Sequence, residues 1–152
     1  MVDGIDTPLE APKLWNPNAA ANWSLIFSPV FGAVLHAKNW KELGNLHRAK
    51  ANKIWIWITA IWLAAMLYIS ADPRPRSPSA FPFQIFGLIP LLIWYFSQAR
   101  VQARLVKEKY GNRYKRKKWG VPLLWGVGAL LGYYLLTMVV AYIKLMWLLW
   151  DL

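Results

Sequence analysis

The sequence predicts an all-α integral membrane fold: three transmembrane helices, preceded by one or two amphipathic helices at the membrane surface. Three observations lead there. The chain is 57% apolar over 152 residues and carries 11 Trp, more than a soluble domain of this size normally holds. Three apolar runs are free of charge over lengths close to the thickness of a bilayer's hydrocarbon core. Between two of them, Arg100 to Lys118 carries nine Lys or Arg residues and one acid, Glu108, as the cytoplasmic connection of a membrane protein does.

Residues 1–21 are polar and punctuated by proline, which predicts an irregular cytoplasmic tail. They include Asp3, Asp6 and Glu10, with no basic stretch leading into an apolar core. No cleavable signal peptide is therefore expected. Residues 22–53 predict interfacial or re-entrant helices. The apolar stretch Asn22 to Trp40 is interrupted at Ser28-Pro29 and Gly32, leaving each piece too short to cross. Ser28 is placed to cap a helix with Pro29 in its first turn. Val30, Ala33, Val34 and Ala37 then share one face, which favours an interfacial helix over a re-entrant one. Asn39 and Glu42 have the spacing of a capping box, so a second amphipathic helix is expected from Trp40 to about Lys53, weakened by Gly44.

Residues 54–152 form the expected three-span domain. The first span, 54–71, is uncharged and about 27 Å long at the helical rise, with Trp55 and Trp57 as anchors where it begins. A rigid Pro-rich turn follows from Asp72 to Ser79. The second span, 83–99, holds Pro90 near its middle, where a kink is expected. The basic segment 100–118 forms the cytoplasmic loop, and Trp119 anchors the start of the third span, 122–142. Beyond it the chain stays apolar except for Lys144, expected to snorkel while Trp147 and Trp150 sit among headgroups. Basic residues number five from Lys38 to Lys53, two after the first span (Arg74 and Arg76) and nine from Arg100 to Lys118. That alternation places the N-terminus in the cytoplasm and the C-terminus outside.

Few residues suggest chemistry. Arg100, Arg104, Lys107, Lys109, Arg113, Lys115, Arg116, Lys117 and Lys118 are candidates for contact with anionic lipid headgroups or an acidic partner. The plainer reading is a topology signal that needs no specific ligand. Aromatic residues among cations can stack on unpaired bases, but juxtamembrane placement argues against nucleic acid. Gly128 and Gly132 make a GxxxG pair suited to close helix packing, with Ala60 and Ala64 of the first span as a matching surface. The absence of cysteine excludes disulfides and thiolate sites. His36 and His47 lack the accompanying ligands that a metal needs. No Asp, Glu, His or Arg stands inside the three spans, where a proton or ion path requires one, so neither an enzyme, a metal site nor a cofactor is expected.

Two stretches carry a likeness. One is Asn22-Trp23-Ser24, Phe27-Ser28-Pro29, Phe31-Gly32-Ala33, Asn39-Trp40 and Leu43-Gly44; the other is Lys109-Tyr110-Gly111, Tyr114, Trp119 and Pro122-Leu123. Together they resemble small bacterial inner-membrane proteins of uncharacterised activity, in which such a segment precedes a few spans. The resemblance implies a bacterial inner membrane and no activity. The expected function is a non-catalytic accessory protein that packs against a membrane-protein partner or copies of itself. An immunity protein neutralising a membrane-inserting toxin is the alternative, and an oligomeric small pore or carrier the third reading.

Overall fold

The computed structural model describes residues 11–74 and 86–150. The chain runs through β1 (Lys13–Leu14), α1 (Pro17–Phe27), α2 (Pro29–Glu42), α3 (Leu46–Ser70) and α4 (Leu88–Trp94). A π-helical turn (Tyr95–Ala99) leads into α5 (Arg100–Tyr110), then β2 (Lys115–Arg116) and α6 (Gly120–Trp150). Asp3, Asp6 and Glu10, most of the Pro-rich turn and the start of the expected second span lie outside the described residues.

Part of the stretch expected to be irregular is regular, holding β1 and the start of α1. Asn16 caps α1, its side-chain oxygen accepting the N–H groups of Asn18 and Ala19 at 3.0 and 3.3 Å, and Pro17 takes the first helical position. Just before it, Lys13 and Leu14 pair in parallel with Lys115 and Arg116. At Ser28 the chain folds back into α2, with Pro29 in the first turn as expected. Ser28 makes no side-chain cap. It is the elbow itself, at φ 132° and ψ 163°, a region that residues other than glycine rarely occupy.

The elbow closes because Gly32 lets α1, α2 and the Trp94 indole meet. A Cβ there would overlap the Ser24 hydroxyl and the Trp94 ring. The result is a helical hairpin whose α2 packs against α3.

Asn39 does not begin a helix. It lies fully buried inside α2, which runs on to Glu42. The break comes at Gly44, whose φ of 74° suits the missing side chain. Asn45 then caps α3 by accepting the Arg48 N–H at 3.0 Å. From Leu46 one helix of 25 residues runs to Ser70, so the expected amphipathic piece and the expected first span are continuous.

The segment read as a basic loop is also largely helical. From Leu88 the chain is helical through the π turn to Tyr110, since no Gly or Pro intervenes after Pro90 and most residues favour helix. Pro90 sits in the first turn of α4, where its missing N–H is no loss, so the irregularity falls at residues 95–99 instead. Gly111 ends α5. The last helix shows no break near Tyr142 and runs 31 residues to Trp150, about 46 Å.

Two helices, α3 and α6, are long and apolar enough to cross a membrane. Large apolar side chains on them lie open, among them Trp57 at 71%, Ile61 at 69% and Leu124 at 73% exposure. A surface of that kind suits contact with lipid or another apolar partner. The buried core gathers on Trp94, with Ala21, Ala33, Leu91 and Ala99 about it and Trp55 and Ile56 packed against it. A smaller cluster joins Leu14, Val106 and Tyr114.

Candidate functional site: a basic end and an apolar cleft

A set of buried amides fixes one end of the bundle. The Asn39 side chain accepts the Trp15 N–H at 3.1 Å and donates to the Trp15 carbonyl at 2.8 Å. Its amide also reaches Gln102 Oε1 at 3.3 Å, while Gln102 donates to the His36 carbonyl at 3.0 Å. His36 Nε2–H donates to the Pro17 carbonyl at 3.2 Å. On α3, fully buried Asn52 accepts from the Trp94 indole at 3.2 Å and donates to Gln98 at 3.2 Å. Trp15, α2, α3 and the π turn with α5 are thereby tied at one level. Buried amides of this kind are costly unless satisfied, so the network fixes one arrangement.

Neither Asn52 nor Gln102 stands out in the sequence. The available signal is that Gln102 lies with Ala99 and Val106 on the stripe of α5 opposite its charges.

The predicted basic residues fall in two groups around this end. Arg100, Arg104, Lys107 and Lys109 are exposed on α5, with the Arg100 guanidinium 5.9 Å from the Phe96 ring centre. Arg113, Lys115, Arg116 and Lys118 are exposed around β2, whereas Lys117 is half-buried and donates to the Glu42 carboxylate at 2.7 Å. Lys13 and Lys38, which sequence reasoning did not select, join this second group. Trp15 organises it: its indole N–H donates to the Lys118 carbonyl at 3.0 Å. The Lys117 and Lys38 ammonium groups stand 4.5 and 5.8 Å from its ring centre.

Below those cations, between α2 and α6, opens a cleft of about 930 Å³. Its walls are Phe27, Phe31, Val34, Val121, Trp125 and Ala129. Gly126 lets α6 approach the hairpin, since a Cβ there would stand 2.8 Å from the Phe27 ring.

The predicted GxxxG pairing with Ala60 and Ala64 does not form. Gly128 and Gly132 are exposed, with nothing within 4 Å of where a Cβ would be. They lie on the face of α6 opposite the stripe Gly126, Leu130, Tyr133, Thr137 and Lys144 that meets the chain. Tyr133 and Lys144 are the members that bond to α3, donating to the Leu63 carbonyl at 3.5 Å and the Tyr68 carbonyl at 2.5 Å. Ala60 and Ala64 instead line a second cavity beneath the elbow, with Ala129 and Leu130 across it. Of the expected anchors, Trp57, Trp147 and Trp150 point outward, Trp119 is half-buried, and Trp55 packs inward on the Trp94 cluster.

No His, Cys, Asp or Glu cluster fit for a metal is found among the described residues. Comparison of the chain with protein-family models, with curated proteins and with solved structures finds no match.

Proposed function

We propose that this chain is a non-catalytic accessory protein of the bacterial inner membrane. It would cross three times, with its basic end in the cytoplasm and its C-terminus outside. The observation that carries the reading is the gathering of cations from β1, α2, α5 and β2 at one end of a bundle whose long helices α3 and α6 are apolar. Such a distribution suits a cytoplasmic boundary facing anionic headgroups.

The path of the chain supports three crossings. Helix α3 leaves the basic end and reaches Tyr68 beside Lys144. Gln98 and Gln102 lie back at the basic end, so the segment between must return. Helix α6 then leaves again from Lys118.

The α1–α2 hairpin fits a re-entrant position better than the flat interfacial one. Phe27, the last residue of α1 before the elbow, touches Gly126, six residues along α6 from Gly120 and so about 9 Å deeper. Backbone groups at such depth must be satisfied within the protein, and the hairpin's helical bonds, with the Ser28 N–H on the Ser24 carbonyl, supply that.

The outward face of α6, with Gly128 and Gly132, is offered as the surface for a partner helix or a second copy. The test is mild-detergent purification of the tagged protein from its native host, with mass spectrometry of what accompanies it. A stoichiometric membrane protein or a homo-oligomer, lost in Gly128→Leu/Gly132→Leu, is the expected result. An assembly that the double variant leaves unchanged excludes this face.

A further inference from the structure

We propose that the cleft between α2 and α6 binds one anionic phospholipid, with its phosphate at the basic rim and its acyl chains along the apolar walls. The inference rests on reading the basic end as the cytoplasmic membrane boundary. It goes beyond that reading by assigning a single-molecule site rather than a diffuse attraction.

The rim gathers four exposed cations. Lys13, Lys38, Arg116 and Lys118 converge there from three separate segments. None of them has an acid partner among the described residues; Glu42 is engaged by Lys117. Bringing like charges together costs free energy that a bound anion offsets. The parallel pairing of Lys13–Leu14 with Lys115–Arg116 and the Trp15 indole bond to Lys118 hold this cluster in place.

The walls identify what kind of anion fits. Phe31, Val34, Val121, Trp125 and Ala129 continue directly below the cations, and the volume of about 930 Å³ lies in the range of small-molecule sites. A free phosphate would satisfy the rim and leave the walls empty. An amphiphile with an anionic head fills both, and the lining residues Val121 and Trp125 are themselves largely exposed, so lipid chains can reach the cleft from outside.

The test is native mass spectrometry of the full chain in mild detergent. It would be titrated with phosphatidylglycerol and with phosphatidylcholine of the same acyl composition. One phosphatidylglycerol per chain, held in preference to phosphatidylcholine, is expected. Lys38→Gln with Lys118→Gln should weaken it about thirtyfold. Ala129→Phe, which fills the groove and alters no charge, should abolish it; Val121→Phe does the same from another position should the first variant fail to fold. Lys50→Gln with Lys53→Gln removes equal charge from residues that line no part of the cleft and should leave the binding intact.

Equal binding of the two lipids, or unchanged binding in the cleft variants, overturns the proposal. So does full displacement by glycerol 3-phosphate at equal concentration, which would point to a soluble anion. The sidedness of the basic end is measured separately, by labelling in intact cells, so its failure is distinguishable from the absence of a lipid site.

Discussion

His36 lies fully buried between α1 and the Trp94 ring, which it meets edge-on at 5.2 Å between centroids. Its Nδ1 has no hydrogen-bond partner among the described residues. Burial pushes its pKa from 6.5 down to about 4, against a smaller upward pull from the Pro17 carbonyl. The unfolded chain therefore binds a proton between those two values that the folded chain refuses. The stabilising contribution is complete above pH 6.5 and falls as pH drops toward 4, by roughly 3 kcal/mol in all. A thermal midpoint that declines over this window in wild type and stays flatter in His36→Gln is expected. An identical slope in both would place the titration elsewhere. In sequence, His36 and His47 look alike, each preceded by Leu and followed within three residues by a lysine; only the fold buries one and exposes the other.

The hairpin elbow depends on two small residues used in opposite ways. Ser28 occupies a backbone region that favours glycine, at a cost of about 1–3 kcal/mol. Gly32 has room for nothing larger. Ser28→Gly should accordingly raise the thermal midpoint in detergent, and Gly32→Leu should lower it by the equivalent of about 3 kcal/mol or more. Reversal of either sign would mean that the elbow is built differently. Composition and periodicity reveal a break at Ser28-Pro29, and they identify the apolar runs within α3 and α6. They do not reveal that Asn39 lies mid-helix, because its spacing to Glu42 mimics a cap and its true partners, Trp15 and Gln102, are distant in sequence. The same holds for α5, whose density of charge reads as loop although most of its residues favour helix. Gly126 rather than Gly128 and Gly132 turned out to be the packed glycine, since a GxxxG spacing does not specify which face of the helix looks inward.

At the scale of the whole molecule, Lys13, Lys38, Arg116 and Lys118 gather at one cleft. Counting Lys and Arg between apolar runs picks out the basic segments from sequence, because such counts are local. The cleft is not readable in that way. It needs Lys13, Lys38 and Lys118 brought together by a two-residue strand pairing and a helical hairpin. A chain without cysteine suits single-cysteine labelling in intact cells with a membrane-impermeant maleimide. Three crossings with the basic end inside predict that Asp72→Cys is labelled from outside, whereas Lys109→Cys reacts only after the membrane is opened. Labelling of both positions from the same side would contradict the arrangement, and the reverse pattern would place the basic end outside the cell.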